Sequence, residues 1–112
     1  MKEDYELEFE KVNTLSELEF ELKFKVNKYR ELTKEALQKI ELMPELIPEQ
    51  KKIALDFLSM AKNYFNDAKH FEKENELLTA LAAYSYAHAW LDAGVRAKLF
   101  NAKEDDQLFT LP

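Results

Sequence analysis

Cysteine is absent from the 112 residues, glycine occurs once and proline three times. Without cysteine there is no disulfide framework and no thiolate metal site. A single glycine cannot build the loops that cradle the phosphates of nucleotides, which need several. So little Gly and Pro also excludes collagen-like and low-complexity chains. The most apolar stretch, Leu77 to Val95, is long enough for a bilayer, but it is rich in Ala and Tyr and holds His88 and Asp92. A membrane span is therefore not expected. No basic–apolar leader opens the chain, and the expected location is the cytoplasm.

What is present is apolar and charged in globular proportion, 46% hydrophobic and 34% charged. Glu and Lys dominate, which favours helix. The length suits one domain, and a compact chain of this size has a radius of gyration near ~13 Å.

The net charge of −6 is unevenly placed. Residues 1–10 carry one Lys against five acids, and residues 101–112 one Lys against three. The middle is neutral. Such a distribution argues against nucleic acid as a partner, because phosphate neutralisation needs a basic face. The basic run Lys23, Lys25, Lys28, Arg30 and Lys34 reads as a solvated helix face, with Glu19–Lys23 and Glu21–Lys25 as i,i+4 pairs.

Three segments carry helical periodicity, at about 17–42, 49–73 and 76–100. Ser16 and Glu19 fit a capping box, and Leu15 with Phe20 a hydrophobic staple, so the first helix is predicted to start there. Its stripe is Leu18, Leu22, Val26, Tyr29, Leu32, Ala36, Ile40 and Met43. The alternation of Leu18, Phe20, Leu22, Phe24 and Val26 would also suit a strand. A strand there would leave the other two helices without a partner of matching length. Pro44 and Pro48 end the first helix and open the second, with Pro48 at N1. The second carries Ala54, Phe57, Leu58, Ala61, Tyr64, Phe65, Ala68 and Phe71 on one side. Asn75 marks the next turn, as a left-handed residue or an N-cap. The third shows two faces, one through Leu77, Leu81, Tyr84, His88, Leu91 and Val95, the other through Ala80, Ala83, Ala87, Trp90, Gly94 and Ala97. The small face permits close approach, which could offset the roughly 1 kcal/mol that Gly94 costs a helix interior.

The expected fold is all-α: an antiparallel up-down-up three-helix bundle over 16–101. Residues 1–15 form an N-terminal extension that fits a short helix or an extended arm equally well. Residues 102–112 form a short acidic tail ending in Leu108, Phe109 and Leu111.

No cofactor, metal site or catalytic site is legible. Ser85, His88 and Asp92 lie within two turns of one helix, but mid-helix amides are already bonded and supply no oxyanion hole. Asp67 with His70, or His88 with Asp92, offer two metal ligands where three or four are needed. Two features remain. Tyr84, His88, Asp92 and Arg96 form an i,i+4 ladder on the third helix. It is either a polar recognition strip or a partly buried histidine satisfied by Asp92, with Asp92–Arg96 as an intrahelical pair. Phe20 and Phe24 lie roughly 160° from the first helix's stripe at about 100° per residue, and are expected to form an exposed apolar patch.

Residues 55–100 resemble the archaeal domain-of-unknown-function family 357. The strings Ala61-x-x-Tyr-Phe-x-Asp-Ala68 and Tyr86-Ala-His-x-Trp-Leu-Asp-Ala-Gly94 carry the likeness, with coverage of about 27–101. The resemblance implies an archaeal source and an up-and-down three-helix bundle, and it implies no activity. The chain is similar to tetratricopeptide repeats only in its helix pairs, since no second copy occurs. The function expected is a non-enzymatic protein-interaction or oligomerisation module, partnered by a second copy or by an unidentified protein. The alternative is a small-ligand or RNA-associated protein using the ladder on the third helix.

Overall fold

The computed structural model describes the backbone of residues 2–112 and the side chains of residues 16–112. Three helices, α1 (Lys2–Lys39), α2 (Pro48–Lys73) and α3 (Leu77–Arg96), run up, down and up. Two-residue strands β1 (Glu41–Leu42) and β2 (Phe100–Asn101) pair antiparallel, with Glu41 opposite Asn101 and Leu42 opposite Phe100. The helix α3 packs along both others, while α1 and α2 meet at few points.

The tightest contact is between α2 and α3, and alanine explains it. Ala54, Ala61 and Ala68 recur every seventh residue on α2, as do Ala80, Ala87 and Gly94 on α3, and all six are buried. Small side chains at heptad spacing on antiparallel helices let the two backbones approach closely. Both apolar faces read on the third helix are buried, Ala80, Ala87 and Gly94 on one and Tyr84, Leu91 and Val95 on the other.

Helix ends depart from expectation in three places. First, α1 does not begin at Glu17: the helix passes straight through Ser16–Glu19. The residues before it hold neither Gly nor Pro and are rich in Glu and Leu. A capping-box pattern ends a helix only where the preceding chain turns away. Second, α1 stops at Lys39 instead of Leu42. Met43 precedes Pro44 and is biased to extended backbone. It donates its N–H to the Leu99 carbonyl at 2.9 Å, continuing the strand pairing. Third, α3 stops at Arg96, not Phe100. Lys98 takes the left-handed conformation (φ 62°), Leu99 N–H bonds the Gly94 carbonyl and Lys98 N–H the Val95 carbonyl. That is a Schellman closure. Asn75 (φ 60°) closes α2 the same way, through Glu76 N–H to Phe71 and Asn75 N–H to Glu72. Pro48 opens α2 at N1, and Gln50 accepts the Ile47 N–H at 3.1 Å.

The C-terminal segment is not a tail. Leu99, Phe100, Ala102, Leu108 and Phe109 are buried in one cluster with Ala36, Ala54, Ala61, Leu91 and Val95. The acidic residues at 104–106 sit on a loop between these apolar anchors, and Asp105 bonds Lys39 Nζ at 2.7 Å. That bond, with the N–H groups of Leu108 and Gln107, holds the Asp105 carboxyl below the usual range. Phe100 also accounts for Gly94: a methyl group on Gly94 would lie inside the Phe100 ring, 3.1 Å from its Cγ and closer to the ring edge. The close approach expected of that glycine is real, and the Phe100 ring is the nearest group to it.

A second cluster, Val26, Ala68, Ala80 and Tyr84, closes the bundle near the α2–α3 turn, with Leu22 packed at its margin. Beyond Leu22, towards its N-terminus, α1 projects past the bundle. The molecule measures 72 × 26 × 17 Å and its radius of gyration is 18.9 Å, well above the compact expectation. A helix the length of α2 spans only about 39 Å at 1.5 Å per residue. Leu18, first in the predicted stripe of α1, is therefore 56% exposed.

Candidate functional site

The ladder on α3 does not form one strip. Its four side chains turn to four different neighbours. Fully buried Tyr84 donates to Glu72 Oε1 of α2 at 2.8 Å. Glu72 Oε2 receives Arg30 Nη1 of α1 at 2.5 Å. Arg30 is held in turn by Asn27 and Glu31. One carboxylate thus joins all three helices. Burial, reinforced by the bond to Glu72, holds the Tyr84 phenol well above the usual tyrosine range, so it stays a neutral donor.

His88 bridges two elements. Its Nε2 lies 2.5 Å from the Leu108 carbonyl and its Nδ1 3.0 Å from Thr33 Oγ1. A carbonyl only accepts, so Nε2 carries the hydrogen. In the neutral ring Nδ1 then accepts from the Thr33 hydroxyl. Asp92 does not pair with Arg96: its Oδ1 accepts the Thr110 N–H at 2.9 Å and its Oδ2 the Thr110 hydroxyl at 3.4 Å. His88 Nε2 and Asp92 Oδ1 stand 4.0 Å apart. Arg96 Nη1 donates to the Leu111 carbonyl at 3.0 Å. Three of the four ladder residues therefore fasten residues 108–111 onto α3.

A cleft of about 330 Å³ lies where α1, α3 and this segment meet, lined by Tyr29, Ser85, His88, Asp92 and residues 106–110. Ser85 is exposed at its edge, and the His88 and Asp92 bonds run to the protein itself. Among the described residues, no buried side-chain polar atom lacks a partner. Nor does any group of three or more His, Asp or Glu side chains come together there as a metal site would require.

Sequence reasoning missed Thr33, Glu72 and Thr110 as partners. Thr33 carried a signal: it sits seven residues from Val26 and from Ile40, a polar residue in an apolar stripe, as His88 is on α3. Two such intrusions on neighbouring helices point to each other. Arg30 was read into a solvated basic face, and its reach to Glu72 leaves no local trace. Of the two pairs predicted on that face, Glu19–Lys23 is present at 3.3 Å. Glu21–Lys25 is not among the ion pairs of the described residues.

These bonds make a stability prediction. His88→Gln and Asp92→Asn should each cost about 1–3 kcal/mol, since each releases a hydrogen bond holding the same segment. Their effects should be coupled by at least about 0.5 kcal/mol, because one change frees residues 108–110 and leaves the other side chain less to hold. Urea unfolding of the two single variants and the double variant measures this; additive effects would contradict a shared fastening.

The candidate oligomer surface is arranged differently. Phe20 and Phe24 are 74% and 62% exposed and flank the point where α1 leaves the bundle, Phe20 just outside Leu22 and Phe24 between Leu22 and the buried Val26. They form an apolar pair no other described element covers, while Leu18, also exposed, lies on the opposite side of the helix. No helix among the described residues is long and apolar enough to cross a membrane.

The family model described as "Protein of unknown function (DUF357)" matches residues 28–100. Those residues span the bundle up to β2 and leave out the projecting half of α1. No curated protein and no solved structure matches the chain.

Proposed function

We propose, for a chain that belongs to the DUF357 family of proteins of unknown function, a non-enzymatic role as a helical protein-interaction module that docks through the projecting half of α1. The observation that carries this reading is the exposure of Phe20 and Phe24 on one side of α1 where the helix leaves its own core. Each buried Phe side chain is worth roughly 1.5–3 kcal/mol, so leaving two in water on one turn of helix forgoes a large stabilisation. An apolar patch of this kind marks an interaction surface. The polar groups of α3, by contrast, are spent on the protein's own segments. The cytoplasm is the compartment this reading assigns.

The double substitution Phe20→Glu with Phe24→Glu tests it. Both positions face water, so circular dichroism and the unfolding midpoint, measured dilute, should stay close to wild type. Association should weaken by at least about 100-fold, the equivalent of roughly 2.7 kcal/mol. A variant that associates as the wild type does would contradict the reading.

A further inference from the structure

We infer that the projecting half of α1 docks on its counterpart in a second copy of this chain, antiparallel, with the acidic first ten residues of each helix along Lys23, Lys25 and Lys28 of the other. This deepens the docking role assigned to α1 and rests on it.

Charge selects both the partner and the direction. Residues 1–10 hold five acids against one Lys, whereas the stretch from Lys23 to Arg30 holds four cations and no acid. Both lie on one helix, their centres about 20 residues and hence about 30 Å apart. That exceeds the screening length of roughly 8–10 Å, so the two blocks cannot neutralise each other within a single copy. Lys25 and Lys28 are exposed and make no ion pair among the described residues. A parallel pair would stack acid on acid and base on base. Only the antiparallel pair brings each block to its complement.

The apolar residues fall where such a pair needs them. Placing residues 3–10 opposite 23–30 puts the two-fold axis near Ser16 and Glu17. The exposed Phe20 and Phe24, on one side of the helix, then lie inside the overlap, about 28 residues or ~42 Å long. The two bundles sit at opposite ends of the paired helices and do not collide. Alongside each bundle, Asn27, Lys28 and Glu31 are exposed, so the outer side of α1 is open to the partner's N-terminal turns.

The chain has no cysteine, so single-cysteine variants report cleanly on this geometry. Ser16→Cys lies at the predicted axis, whereas two copies of Asn27→Cys would be held about 30 Å apart along the helix. Both positions are exposed; Asn27→Cys gives up one bond to Arg30, which Glu31 and Glu72 still hold. With a short bis-maleimide, Ser16→Cys should convert largely to a covalent dimer and Asn27→Cys should remain monomeric on a denaturing gel. The dissociation constant of the wild type should also rise several-fold between 0.05 and 0.5 M NaCl. Cross-linking of both variants would mean a parallel pair and would overturn the inference. Cross-linking of neither, in a protein whose mass is dimeric and whose association Phe20→Glu with Phe24→Glu abolishes, would overturn the register and leave the docking role of α1 standing. A monomeric mass at every concentration would overturn the self-pairing itself.

Discussion

Deleting residues 99–112 should abolish cooperative folding. The deletion removes five buried side chains, among them Phe100 and Phe109, from the cluster that also holds Ala54, Ala61 and Leu91. Truncating a single buried Phe to Ala costs about 3–5 kcal/mol, and the whole stability of a domain is only about 5–15 kcal/mol. The same deletion leaves the carbonyls at the end of α3 without their Schellman partner and strips β1 of its only strand. The expected product keeps far-ultraviolet helical dichroism, loses near-ultraviolet signal and shows no sharp thermal transition. A truncated chain melting sharply within about 5 °C of the full protein would show that this segment is an appendage after all; at this size each kcal/mol moves the midpoint by roughly 4–8 °C.

The second large effect is at Gly94. In an exposed helix Gly→Ala gains about 1 kcal/mol. Here the new methyl would meet the Phe100 ring. That ring cannot swing away, because Phe100 is buried and paired to Leu42 through the strand ladder. Overpacking a well-filled site costs about 1–3 kcal/mol and occasionally more, and we expect Gly94→Ala to lose about 2–3 kcal/mol net. The midpoint should fall by roughly 10–15 °C. Combining it with Phe100→Leu, which shortens the obstructing ring, should restore part of the loss relative to Gly94→Ala alone. A Gly94→Ala protein more stable than wild type would mean that the ring and the glycine are not in contact.

These two sites show what could be read in advance and what could not. Helical periodicity located α2 to within a residue, because its apolar stripe, Pro48 and Asn75 are all local signals. The alanine and glycine face of α3 was legible for the same reason. The ends of α1 and α3 were not, since a two-residue strand between residues 41–42 and 100–101 has no periodicity of its own. It exists because Pro44 and the Schellman turn at Lys98 bring two extended pieces side by side. The C-terminal segment was misread through its charge. Glu104, Asp105 and Asp106 signal solvent, yet they only form the loop that lets Leu108 and Phe109 return to the core.

The candidate site divides along the same line. Phe20 and Phe24 are exposed as their position on the helix wheel implies, and the ladder residues do sit together on α3. Their partners lie far away in sequence: Thr33 and His88 are 55 residues apart, and Thr110 and Asp92 are 18. No spacing rule reaches that distance. Tyr84, His88, Asp92 and Arg96 accordingly act as fasteners, each holding a neighbouring helix or the returning C-terminal segment.

The central claim, that α1 docks on a second copy through its projecting half, is tested most directly by molar mass. Light scattering on the wild-type chain, from submicromolar to hundreds of micromolar, should show a concentration-dependent rise from the 13.2 kDa of one chain to twice that value. Phe20→Glu with Phe24→Glu should stay at one chain's mass over the same range. A wild-type mass that remains at 13.2 kDa throughout would contradict the account.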